Sequence, residues 1–174
     1  MGIKRGKMRR QEARYPDLRD KVVVVTGGGS GIGFAIADAF AANSARVIIV
    51  GRNAVQLKAA VKHFGKKAHG IVFDVADVDR LPGLVDRIKN AAGEIDVLVN
   101  NAGRGHFASL EETTDETIRS MFAVNVYSLW HTTRPALPHM KARGSGHIIN
   151  ISSIAGKIGL PYNSAYVAAK HALK

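Results

Sequence analysis

The stretch KVVVVTGGGSGIGFAIADAFAAN, residues 21–43, contains the change of pattern on which the fold depends. Its opening VVVVT is a β-branched apolar run, stiff at χ1 and suited to a strand. The glycine cluster that follows breaks the strand, and GFAIADAFAAN then spaces its apolar residues as a helix does. The same unit recurs along the chain. ARVIIV (45–50) precedes the helical AVQLKAAVKHF (54–64), and HGIVFDV (69–75) precedes DRLPGLVDRIKNAA (79–92). IDVLVN (95–100) precedes a long helical segment from Thr114 to Arg143, and GHIINIS (146–152) is a fifth strand ahead of a last helix. Strands apolar on both faces, alternating with amphipathic helices, predict a parallel sheet covered on both sides: a doubly wound, Rossmann-like α/β fold. Pro135 and Pro138 predict a kink or an early end in the long helix, because proline removes an internal hydrogen bond.

A chain of 174 residues with 46% hydrophobic content has the size and composition of one domain with a continuous core. No apolar run approaches the roughly 20 residues that span a bilayer, and the N-terminus lacks the apolar centre of a secretory signal, so a cytoplasmic protein without membrane contact is expected. With no cysteine, disulfides and thiolate metal sites are excluded, and the seven histidines show no ligand-like spacing, so no metal is expected. Almost half of the net charge of +11 lies at the start, where residues 1–21 carry eight Lys or Arg against three acids. Nucleic-acid binding requires a clustered patch on a folded face. This run lacks apolar periodicity, so residues 1–20 are expected to be a disordered basic extension and nucleic acid is not an expected partner. Residues 21–174 form the expected dinucleotide-binding domain.

In an open parallel sheet, ligands bind beyond the carboxyl ends of the strands where the strand order reverses, which directs attention to TGGGSGIG after the first strand. Glycines there permit positive φ and close backbone approach, so a pyrophosphate can sit against free amides at the start of the next helix. Thr26 can fix the turn through its hydroxyl. At the end of the second strand the chain reads VGRN: Gly51 offers no carboxylate to repel a 2′-phosphate, and Arg52 offers a planar cation to hold one. NADP(H) is therefore favoured, with NAD(H) left open. Tyr166 and Lys170 lie four residues apart and share one helix face, where an ammonium favours the phenolate form of a neighbouring tyrosine.

The TGxxxGxG spacing departs from GxGxxG and lacks the ending of a P-loop; it resembles the turn of the short-chain dehydrogenase/reductase family. NNAG at Asn100 to Gly103, VN at Val124 and Asn125, NISSIAG, and YVAAK follow in the family's order. The resemblance covers residues 21–174 and implies reversible hydride transfer between a nicotinamide and a carbonyl or secondary alcohol. It implies Asn125, Ser153, Tyr166 and Lys170 as catalytic residues: Tyr166 moving the proton, Ser153 holding the substrate carbonyl, and Asn125 holding a water that relays protons to the lysine. The implied cofactor contacts are Thr26, Gly27, Gly29, Ser30, Gly31, Ile32 and Gly33 in the turn, Arg52, Asp74 and Val75 at the adenosine end, and Asn101, Ala102 and Gly103 near the nicotinamide ribose, with Tyr166 and Lys170.

Family members continue past this helix with further strands and a substrate loop, and oligomerise through it. The chain is accordingly expected to be truncated within the catalytic helix, with its fifth strand an exposed apolar edge. An inactive fragment that binds nucleotide or a partner is the alternative expectation.

Overall fold

The computed structural model describes residues 15–173. Five strands, β1 (Val22–Thr26), β2 (Arg46–Gly51), β3 (Ala68–Val72), β4 (Val97–Asn100) and β5 (His147–Asn150), pair in parallel in the order β3-β2-β1-β4-β5. The order reverses at β1, so the crevice between β1 and β4 is the switch point that the sequence pattern required.

The valine run of β1 serves both faces at once. Val22 and Val24 join the core under α3 (Leu81–Ala92) and α5 (Ser128–Ala142), while Val23 and Val25 join the core under α1 (Gly31–Ala42) and α2 (Ala54–Phe64). This alternation is why a strand buried throughout must be apolar at every position. At the β5 edge the cover is thinner: Ile149, in register with the fully buried Val99, is 41% exposed.

The helical segment expected over 114–143 is interrupted, but not where the prolines sit. It consists of α4 (Asp115–Phe122), a π-helical turn (Ala123–Tyr127) and α5, which runs through Pro135 and Pro138. Both prolines lie off the buried stripe of Thr132, Ala136 and Met140, so packing on the sheet holds the helix together although two internal bonds are lost. The break falls at Asn125, as the Ser128 N–H donates to the Ala123 carbonyl five residues back.

Sequence placed the start of the domain at residue 21, yet Tyr15 to Asp20 pack onto it. The Tyr15 N–H donates to Asn43 Oδ1 at 2.7 Å, Pro16–Leu18 form a 3-10 turn, and Asp20 pairs with Lys67 at 2.6 Å. The partner of Asp20 lies 47 residues away, which no linear pattern reveals. The remainder of the basic extension, residues 1–14, lies outside the described residues. Among the described residues no helix is long and apolar enough to cross a membrane, and no three or more His, Asp or Glu side chains cluster as metal ligands would.

Candidate active site

Thr26 ends β1 and sets the geometry of the crevice. Its Oγ1 accepts from the N–H groups of Asn101 and Ala102, both at 3.0 Å, and lies 3.4 Å from the Val99 carbonyl to which it donates. Asn101 returns the link, its Nδ2 donating to the Thr26 carbonyl at 2.9 Å. The hydroxyl therefore joins the carboxyl ends of β1 and β4 rather than bracing its own turn. Asn100 does the same on the other side, donating to Asn150 Oδ1 at 2.9 Å and accepting from Thr132 at 2.8 Å.

The glycine turn crosses this seam with Gly27 at φ +68° and Gly31 at φ +55°. Gly33 is packed so closely that an added Cβ would overlap the Gly27 carbonyl oxygen and stand 2.5 Å from Asn101 Nδ2. Ser30 caps α1 in an extended conformation without a side-chain bond to the helix, so the first-turn amides keep no side-chain partner from their cap. An open groove of about 1010 Å³ runs past these amides.

Of the residues expected at the cofactor, Gly27, Gly29, Ser30, Ile32, Gly33, Arg52, Asp74, Val75, Asn101, Ala102 and Gly103 line that groove. Gly31 does not line it; its place is in the backbone turn. Arg52 stands at the groove's far end, its side chain 75% exposed and 3.7 Å from the Asp74 carboxylate. Sequence reasoning missed Asn53, which lines the same end and accepts from the Val55 and Gln56 N–H groups as the cap of α2. An asparagine just before a helical pattern is the signal that would have found it.

Tyr166 and Lys170 lie on α6 (Ser164–His171), which packs against the 3-10 turn Ile154–Gly156 that follows β5. Ser153 caps that turn, its Oγ accepting from the Ala155 N–H at 3.2 Å, while Ser152 Oγ reaches the Lys170 carbonyl at 3.5 Å. Ser153 thus belongs to the loop, and Ser152 ties that loop to α6.

Lys170 is 5% exposed, donates from Nζ to the Ile151 carbonyl at 3.0 Å and lies 5.8 Å from the Tyr166 ring centroid. A Cβ built on Gly103 would approach Lys170 Nζ to 3.5 Å and Asn125 Oδ1 to 2.8 Å. Gly103 is therefore where the groove and α6 meet. Burial away from water lowers the Lys170 pKa from its ordinary 10.5.

The fully buried Asn125 is held inside the π turn. Its Nδ2 donates to the carbonyls of Arg104 at 2.9 Å and Met121 at 3.0 Å, and its Oδ1 accepts from the Arg104 N–H at 3.3 Å. The side chain clamps the backbone beyond Gly103 and satisfies a helix carbonyl, so it has become a fastener between α4 and the loop after β4.

One stability consequence follows from Lys170. The folded state disfavours its proton relative to the unfolded chain, so Lys170→Met removes a buried charge and a hydrogen bond together. The variant is expected to lie within about 1 kcal/mol of the parent instead of losing the 3 kcal/mol or so of an ordinary core disruption. Because the folded-state pKa is depressed, the parent gains stability as pH rises from that lowered value toward 10.5, and the variant lacks this gain. Urea unfolding of both proteins between neutral and alkaline pH measures the difference.

The family model for short chain dehydrogenases matches residues 21–174. Ketoacyl reductase HetN of Nostoc sp. is 43% identical over 164 residues, covering 90% of this chain and 55% of that protein. Dehydrogenase/reductase SDR family member 7B of Danio rerio is 37% identical over 170 residues, covering 92% of this chain and 55% of the relative. The crystal structure of a short-chain dehydrogenase from Streptomyces avermitilis superposes with a TM-score of 0.84 at 40% identity, over 88% of this chain and 56% of that one. The chain thus spans about half the length of the curated relatives it matches. The chain belongs to the short chain dehydrogenase family.

Proposed function

We propose that the protein is an NADP(H)-dependent oxidoreductase acting on a small carbonyl or secondary alcohol. The observation that carries this reading is the buried Lys170, fixed to the Ile151 carbonyl beneath the Tyr166 ring and against Gly103, where the groove ends.

A dinucleotide fits the residues present: α1 begins with uncapped amides, and the backbone cradle at Gly33 and Gly103 has no room for side chains. Its pyrophosphate would lie on the amides of Ser30 to Gly33, its adenosine between Arg52, Asp74 and Val75, and its nicotinamide ribose near Asn101 to Gly103, Tyr166 and Lys170. Bound there, the nicotinamide supplies or accepts the hydride.

The chain's own groups handle the proton and the charge. Ser153 donates a hydrogen bond to the substrate oxygen; Tyr166 Oη gives that oxygen its proton in reduction and takes it back in oxidation. Lys170 presents positive charge beside the phenol, and Asn125 holds the loop at Gly103 so that both faces of the site keep their spacing. Relatives named as ketoacyl reductase and dehydrogenase/reductase support the reaction class.

The test is NADPH oxidation over a ketone panel. Tyr166→Phe is expected to lower kcat by about 10²- to 10⁴-fold, the usual worth of a placed proton donor, with NADPH affinity changed by less than about threefold. Comparable turnover in the variant would end the assignment. The exposed Ile149 at the β5 edge favours a second reading, in which this chain binds nucleotide without turnover; NADPH binding with no oxidation of any ketone would select it.

NADP(H) is proposed over NAD(H) because Arg52 is exposed at the groove end and Gly51 brings no competing carboxylate. A charge-assisted contact of this kind is worth roughly 1.5–3 kcal/mol. Arg52→Asp is therefore expected to weaken NADPH binding at least about tenfold and to improve NADH binding, as read by quenching or by nicotinamide fluorescence. Unchanged preference would remove Arg52 from the phosphate site. A second copy of the chain is proposed as partner, in keeping with the family's oligomers.

A further inference from the structure

The loops that leave the carboxyl ends of β4 and β5 are fastened to each other over a stretch that the cofactor and proton-transfer residues do not use. The Ala108 N–H donates to the Tyr162 carbonyl at 2.9 Å, and the rings of Phe107 and Tyr162 pair at 5.3 Å between centroids with a 42° tilt. Tyr162 holds φ at +59°, a left-handed conformation that is unusual for an aromatic residue and costs energy unless its surroundings enforce it. Two of those enforcing contacts are the hydrogen bond and the ring pair just described.

Both rings face water nonetheless: Phe107 is 72% exposed and Tyr162 59%. Ile154, directly after Ser153, and Ile158 beyond it are 60% and 51% exposed on the same loop. The strained backbone at Tyr162 thus holds its ring against Phe107 with both rings exposed, four residues before Tyr166 in the chain. Strain of this kind is retained where a side chain must be presented in one place.

Resting on the oxidoreductase reading above, we propose that the Phe107–Tyr162 pair is a substrate platform, binding the non-reacting apolar part of a carbonyl substrate whose oxygen addresses Ser153 and Tyr166. The substrate class is then an aryl or long-chain alkyl ketone, or its alcohol, in preference to a small polar one. Burial of a phenyl group against two rings is expected to strengthen binding by about tenfold or more.

The test uses 4-phenyl-2-butanone and 2-butanone as probes, titrated by saturation-transfer NMR into the 174-residue chain with NADP⁺ present. The parent is expected to bind the phenyl ketone at least about tenfold more tightly. Phe107→Ser and Tyr162→Ser are each expected to reduce that preference below about threefold, and Tyr162→Phe, which keeps the ring, to restore it. NADP⁺ affinity, measured in the same samples, is expected to stay within about twofold and shows that each variant is folded. A parent preference below about threefold overturns the platform, and so does a preference that survives in the serine variants. Should a serine variant fail to fold, the parent's two-ketone ratio decides alone. Sedimentation velocity supplies a further refutation: concentration-dependent association lost on Phe107→Ser would assign the rings to a contact between copies. Failure of NADP⁺ to bind at all would instead strike the oxidoreductase reading, which separates the two outcomes.

Discussion

Gly33→Ala is expected to cost about 3 kcal/mol or more of folding stability and to abolish dinucleotide binding, although it adds one methyl group. The added Cβ would overlap the Gly27 carbonyl oxygen and stand 2.5 Å from Asn101 Nδ2. Neither neighbour is a free side-chain end. Gly27 is fixed by its N–H bond to the Val50 carbonyl at 2.7 Å, and Asn101 is tied to Thr26 through both its backbone and its amide. Relief requires α1 to move away from β1, which opens the core around Ala37 and withdraws the first-turn amides from the groove. Gly31→Ala provides the contrast. Space around Gly31 is open, and only its φ of +55° resists a side chain, so a loss of about 1 kcal/mol is expected. Urea midpoints and NADPH fluorescence titrations of both variants check the pair; equal, small losses would show that the close approach at Gly33 is not a constraint.

Thr26→Val is expected to lower stability by about 2–4 kcal/mol with almost no change in volume. Valine keeps the shape and the β-branch, so the apolar packing of a residue only 4% exposed is preserved. What disappears is one oxygen that accepts from two backbone N–H groups, those of Asn101 and Ala102. A buried donor left without an acceptor costs roughly 1–3 kcal/mol, and here two are orphaned at once. Thr26→Ser retains the oxygen and loses a methyl, so a cost near 1 kcal/mol is expected. Because the lost bonds hold β4 against β1 at the crevice, the valine variant is also expected to bind NADPH less tightly than the serine variant. Thermal unfolding and NADPH titration of both variants settle it; a valine variant as stable as the serine one would show that water replaces the hydroxyl.

The layout of strands and helices was legible because it is written in periodicity. A run such as VVVVT has to be buried on both faces, and Val22 to Val25 divide between the two cores as that pattern requires. The residues of the glycine turn were legible for a similar reason, since positive φ and close approach select glycine at Gly27 and Gly33 whatever the rest of the chain does. Tyr166 and Lys170 are neighbours by helical spacing alone.

Other features depend on partners distant in sequence. Pro135 and Pro138 read locally as helix breakers, but the buried stripe of α5 overrides them, and the interruption moves to the π turn around Asn125. Thr26 reads as a turn residue, and it is the 75-residue jump to Asn101 that makes it a seam between strands. Tyr15 to Asp20 read as part of a charged tail until Asn43 and Lys67 supply their partners. The sequence by itself therefore determined the doubly wound sheet, the switch-point crevice and the residue types around it, because periodicity and backbone sterics act over a few residues. Tertiary structure alone decided that Lys170 is buried with a lowered pKa, that Asn125 is a clamp, and that Phe107 meets Tyr162, since burial and hydrogen bonding are properties of neighbours brought together by the fold.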